Sequence, residues 1–272
     1  MRQWEGEMGI KDYLKLYGYF VKNNIIAQMQ YRTNFIMSML TEVAFVFAKS
    51  LYIIVIYSAG LSINGLEPQQ MLMFIGSYTL VTGVMDAVYY PNIASIPDYI
   101  RTASLDIYLT KPVNSLFMSA FRRFDLGLGI PNVAAGIIMI VVSWIRSGAA
   151  VSLSNILGFV GFSILGCILA FPILMIPVTF SFWMIKSDAL LTAIWAMWDF
   201  NNMPMTIYNR AIRMIGIFIL PIFVITNLAP MYVFGILPPS YAVYAVIAVP
   251  IFLFISVVFW KFAIKRYSSA SS

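Results

Sequence analysis

The 272-residue chain has no histidine and a single cysteine, Cys167. The first absence excludes His-ligated metals and His-based acid–base chemistry, and the second excludes a disulfide scaffold. Charge is scarce too, at 10% of residues, and no Gly-Lys dipeptide occurs, so the chain lacks the loop and lysine with which P-loop proteins cradle ATP phosphates. Apolar surface is what it has in abundance. With 61% hydrophobic residues and a mean hydropathy of +0.86, the composition is that of an integral membrane protein. The excess of 17 Lys and Arg over 11 Asp and Glu then reads as basic cytoplasmic loops and not as a nucleic-acid surface.

A charge at mid-bilayer costs about 2.5–3.5 kcal/mol on insertion scales, so charge-free runs mark the membrane. Residues 126–145 are one such run, 147–185 hold a polar turn and one long span, and 214–260 hold two spans parted by Pro230, Pro238 and Pro239. Upstream, 35–58 and 71–90 are apolar helical patterns interrupted only by Glu42, Lys49 and Asp86. Runs of this length cannot be barrel strands. The expectation is an all-α integral membrane protein of six transmembrane helices forming one membrane domain over 1–272, with 34–267 holding the spans and 268–272 a short tail. Placing both termini in the cytoplasm puts fifteen of the 17 basic residues inside, and only Arg146 outside.

Two segments read as helices that do not span. Before the first span, Leu14, Tyr17, Val21 and Ile25 share one helical face and Lys11, Lys15 and Lys22 another, which predicts an interfacial helix within residues 1–33, or else a helix packed on the rest of the protein. In 187–203, Leu191, Ile194, Trp195 and Trp198 form a stripe with Asp188 and Asp199 off it, predicting an inner-surface or half-inserted helix. Pro172, Pro177 and Pro221 allow bends within spans. Gly158, Gly161 and Gly166 permit close approach of a neighbour but lack the four-residue spacing of a dimer motif.

Between spans two and three, residues 97–112 carry a proline start, an early acidic residue and a Lys-Pro stop, the marks of a short cytoplasmic helix. Its Ile100, Leu105, Tyr108 and Leu109 need a surface to bury against, either headgroups or a partner's groove. The run Ile100-Arg101-Thr102-Ala103-Ser104-Leu105-Asp106-Ile107-Tyr108-Leu109-Thr110-Lys111-Pro112 resembles the I-R-x-G-x-L-D-x-x-L-x-K-P element of permease subunits of bacterial ABC-2-type exporters. Phe121-Arg122-Arg123-Phe124-Asp125, Met203-Pro204-Met205-Thr206-Ile207-Tyr208, Ile219-Leu220-Pro221 and the closing stretch from Arg266 extend the similarity in order along most of the chain. The resemblance implies a coupling helix that docks on a separate ATPase subunit through Arg101, Ser104, Leu105, Asp106, Tyr108, Leu109, Lys111 and Pro112. It also implies two ATPase copies carrying ATP and Mg, a second permease chain, identical or related, and a bacterial cytoplasmic membrane. This chain itself would bind no cofactor and catalyse nothing. Ala103 replaces the usual glycine, which predicts a helix continuous at that point.

Glu42 and Lys49 project from nearly one face of span one, and Glu42, roughly 12 Å up a helix rising 1.5 Å per residue from about residue 34, is nearer Asp86 in depth than Lys49 is. The three either line a polar route or dimer seam, or they are packing partners and a snorkelling lysine. A secondary transporter or channel is the competing reading of the whole chain. Few intramembrane ionisable groups, no inverted repeat and no filter-like glycine loop speak for it.

Overall fold

The computed structural model describes residues 8–58, 65–184 and 188–267, and the side chains of 49, 50, 52–54, 56–58 and 188 are outside that description. Lys49 as a site residue and the tail 268–272 therefore lie outside the described residues. Among the described residues twelve α-helices follow one another: α1 Ile10–Gln30, α2 Arg32–Ser58, α3 Pro68–Val88, α4 Tyr90–Arg101, α5 Leu105–Leu109, α6 Ser115–Phe121, α7 Leu126–Ser147, α8 Leu153–Thr179, α9 Asp188–Trp198, α10 Arg210–Met214, α11 Ile222–Val233 and α12 Pro239–Arg266. No strand ladder interrupts them among the described residues.

Local chemistry sets the helix ends. Asp125 caps α7 by accepting from the backbone N–H groups of Gly127 (2.9 Å) and Leu128 (3.2 Å), and Gly148, at φ +66°, ends it. Ser152 caps α8 through the N–H of Asn155 at 3.1 Å. Pro68 opens α3, where its missing N–H has no helical partner to lose.

Among the described residues four helices are long and apolar enough to cross a membrane, namely α3, α7, α8 with its following turn to Phe182, and α12. At 1.5 Å per residue, even the 21 residues of α3 reach ~31 Å, about one hydrocarbon core. The span expected at the start of 214–260 is not straight. Arg210–Ile219 and Ile222–Val233 pass the same test only together, and they meet at 103° across Leu220 and Pro221. Pro221 supplies no N–H there, and the residues before it, Ile215–Ile219, widen into a π-turn.

Of these four long helices α3 is the most buried, with 83% of its apolar window inside the protein, and it lies antiparallel along α7. The second packing unit is α8 with α11 and α12. Gly166 admits the backbone of Ile225, whose carbonyl oxygen lies 2.0 Å from where a Cβ would stand. Gly158 likewise faces the Tyr232 ring, whereas Gly161 faces open space. Gly158 and Gly166 thus serve contacts within the chain. α9 is packed into the bundle: Ile194 and Trp198 are buried, and the Trp198 indole donates to Thr82 Oγ1 of α3 at 3.2 Å. Its continuation joins α11, where Thr226 donates to Asn201 (3.1 Å) and the Met205 N–H to Asn227 Oδ1 (2.7 Å).

α1 touches the rest of the chain through its aromatic and amide side. Tyr13 and Phe20 pack on Phe117, and Tyr17 on Phe121, while Leu14, part of the expected stripe, is 67% exposed. The apolar stripe is therefore divided between the protein and its surroundings.

Candidate functional site

α4, α5 and α6 form a closed elbow at one end of the bundle. Asn92, buried in α4, donates to the Arg123 carbonyl and accepts from the Arg123 N–H, both at 2.8 Å, so the two ends of the elbow are pinned to each other. The Trp260 indole of α12 donates to Ser115 Oγ at 3.2 Å. α1 closes the third side: the Asn114 N–H donates to Tyr13 Oη (3.1 Å), Asn24 donates to the Arg122 carbonyl (2.9 Å), and Gln28 bridges the Phe124 carbonyl (2.6 Å) and the Leu126 N–H (3.1 Å). Just beyond α12, Tyr267 faces Asp106. Burial, and then that carboxylate, push the tyrosine hydroxyl above its ordinary pKa.

Within the elbow the expected continuous helix is broken. Ala103 takes φ +56°, and α4 and α5 stop and restart on either side of it. The alanine holds the left-handed conformation that a glycine adopts freely, which costs an L-residue roughly 1–2 kcal/mol. Ala103→Gly is therefore expected to raise stability by about 1 kcal/mol. A thermal melt in detergent reads the shift, and an unchanged or lower midpoint would count against the strained turn.

The apolar residues assigned to partner docking divide in the same way. Leu105 is fully buried and Tyr108 nearly so, within the chain's own core beside Tyr99, and Arg122 donates to Tyr108 Oη at 2.9 Å. They have no surface left to offer, which corrects the expectation that they bury against headgroups or a partner. Ile100, Ser104, Asp106 and Leu109 are half-buried. Outward stand Arg101, Lys111 and Pro112 together with Ile107, which is 60% exposed. Arg101 also pairs with Asp98 at 2.9 Å, a solvent-exposed bridge of little energetic weight. Reading the five-residue α5 by its apolar content overlooked Ile107, because apolar side chains on both sides of so short a helix do not show which side turns outward.

The polar residues of the bundle do not converge on one point. Glu42 of α2 accepts from Asn132 Nδ2 of α7 at 2.6 Å, and Asn132 is 1% exposed. Asp86 is buried in α3, near enough to Tyr78, Tyr89 and Tyr90 to act on them electrostatically. A cleft of about 420 Å³ lies elsewhere, between α2, α3 and the turn after α9, with Phe45, Tyr78, Asp199, Asn202 and Met203 in its lining. Asp199 accepts there from Asn202 at 3.2 Å. The sequence reading had placed Asp199 only on the polar side of a surface helix.

The Glu42–Asn132 contact makes a prediction. Asn132 Oδ1 accepts no hydrogen bond from the described residues, so in Glu42→Gln the new amide can pair with both ends of Asn132, and stability should hold or rise. Glu42→Leu leaves a buried amide short of its strongest acceptor and should lose about 1–3 kcal/mol. Equal melting points for the two variants would remove this pair from the packing.

Long apolar helices closed at one end by a pinned polar elbow describe a multi-helix membrane protein. A family model described as ABC-2 family transporter protein matches residues 43–271, and the chain belongs to that family. Compared with the curated proteins and with the solved structures, the chain has no match.

Proposed function

We propose that this chain is the permease subunit of an ATP-binding cassette exporter in a bacterial cytoplasmic membrane. It forms one membrane domain over residues 1–272 and crosses six times, with both termini in the cytoplasm. The first crossing is α2, and Arg210–Ile219 together with α11 makes the fifth. A separate ATPase subunit, in two copies, holds ATP and Mg, and a second permease chain, identical or related, completes the pathway. Ile107 carries the reading. It is the large apolar side chain left exposed on an elbow whose other apolar residues turn inward, with Arg101, Lys111 and Pro112 exposed in the same segment. Such a small apolar centre within a polar rim is how a partner surface is usually built. Pinning of the elbow to α1, α7 and α12 would let movement of the partner pass to the bundle, shifting it between two arrangements as the ATPase closes and opens. Glu42, Lys49 and Asp86 remain candidates for the route or the dimer seam.

Two measurements test this together. Tagged wild-type chain coexpressed with a nucleotide-binding subunit should bring that subunit down in mild detergent and stimulate its ATP hydrolysis, and failure to do either would remove the exporter reading. In a Cys167→Ala background, a membrane-impermeant thiol reagent applied to intact cells should label Ala149→Cys and spare Ile107→Cys. The reverse pattern would invert the orientation.

A further inference from the structure

Two cavities adjoin where α1 meets the turn between α6 and α7. One, of about 410 Å³, is lined by Phe20, Asn23, Asn24, Arg122 and Arg123. The other, of about 290 Å³, shares Asn24 and Arg123 and continues past Tyr31 and Phe35 to Asp125. The charges there are unbalanced. Asp125 directs Oδ1 to the two N–H groups of the α7 cap, and the single described salt bridge is the distant Arg101–Asp98 pair. Arg122 donates one N–H to Tyr108 Oη and keeps the rest of its guanidinium fork for another acceptor. Arg123 has its backbone held on both sides by Asn92, which fixes where its exposed side chain starts.

The position in the fold says what belongs in this corner. α2 begins at Arg32 and α7 at Leu126, and both then run on as long apolar helices. Their first turns mark the depth at which apolar chain gives way to headgroups, and the rings of Tyr31 and Phe35 offer an apolar wall beside the charges. We propose that Arg122 and Arg123, with the amides of Asn23 and Asn24, bind the phosphate of an anionic phospholipid, whose acyl chains run along the α2 side of the second cavity. Two guanidinium groups that outnumber the one carboxylate of the corner, Asp125, and make no salt bridge among the described residues suit a phosphodiester with net negative charge. A zwitterionic headgroup would bring a cation into an already positive corner. A lipid held here would bridge α1 to the elbow, and through Arg122 it would touch the residue that holds Tyr108.

Native mass spectrometry of the full chain in mild detergent, with phosphatidylglycerol and phosphatidylcholine supplied equally, tests the assignment. Phosphatidylglycerol should be retained preferentially. Arg123→Gln, an exposed side chain whose loss leaves the fold intact, should cut that retention about tenfold, the worth of a charge-assisted hydrogen bond. The double variant Arg122→Gln/Arg123→Gln should remove the preference. Lys15→Gln/Lys22→Gln, on the opposite side of α1 from Asn24, should retain it. Equal retention of both lipids by wild type, undiminished retention by the arginine variants, or equal loss in the lysine variant would overturn the site. Displacement of the lipid by excess glycerol phosphate would overturn the lipid as the ligand and leave a site for free phosphate.

Discussion

Gly136→Leu is expected to abolish the folded bundle. Along the α3–α7 seam two pairs of glycines, Gly76 and Gly83 on one helix and Gly129 and Gly136 on the other, recur every seven residues, which is two helical turns and therefore one face. A Cβ on Gly136 would stand 2.6 Å from the backbone nitrogen of Leu80, on Gly129 2.5 Å from the Cβ of Ala87, and on Gly83 2.7 Å from the backbone nitrogen of Val133. These neighbours are backbone atoms or the first atom of a side chain, so nothing can swing aside. Even Gly136→Ala forces the helices apart and should cost about 1–3 kcal/mol. Leucine adds three more carbons where the helices touch, and the closely packed hydrogen bonds nearby, such as Ser143 Oγ to the Gln69 carbonyl at 2.5 Å, would separate with them. Gly161→Leu is the control, because nothing lies within 4 Å of a Cβ there. In detergent, size-exclusion chromatography should show a monodisperse peak for Gly161→Leu and aggregate for Gly136→Leu. A wild-type peak and melting point for Gly136→Leu would show that the seam is not as close as described.

That seam also shows where sequence reasoning stops. The long helices α3, α7, α8 and α12 were legible because an unbroken apolar run between charges has a length that only a spanning helix uses. The glycine pairs were in plain view but were missed, because spacing was sought within one span, at four residues, and the signal is a seven-residue repeat shared by two. Pro221 announced a bend without its size, since a proline removes a donor but leaves the direction of the next helix to whatever packs around it, here Gly216 against the Phe223 ring. Ala103 was misread for an energetic reason. Alanine is the best helix former and, unlike glycine, is strained at positive φ, so its identity argues for continuity, while the pinned ends of the elbow impose the turn. The orientation of α5 was undetermined for a geometric one: five residues with apolar side chains on both sides can face a core or a partner equally well, and only the neighbours, Tyr99 and Arg122 among them, decide it.

The sharpest consequence of that orientation is that two neighbouring apolar residues of α5 should fail in opposite ways when each is replaced by aspartate. Leu105 has no exposed surface and lies within a cluster of buried apolar side chains. Leu105→Asp must bury an unpaired charge or take up a proton, at a cost of several kcal/mol added to the lost apolar contact, so the chain should not be recovered as a folded species. Ile107 is 60% exposed, and an aspartate there enters water at almost no cost. Ile107→Asp should therefore melt within experimental error of wild type while retaining less than about a tenth of the bound ATPase subunit, the loss of ~1.4 kcal/mol or more that a central apolar contact in an interface carries. The two variants separate the question of packing from the question of docking. A folded Leu105→Asp would overturn the inward face of α5. Full ATPase retention by a folded Ile107→Asp would leave the elbow a structural brace and move the coupling surface elsewhere on the chain.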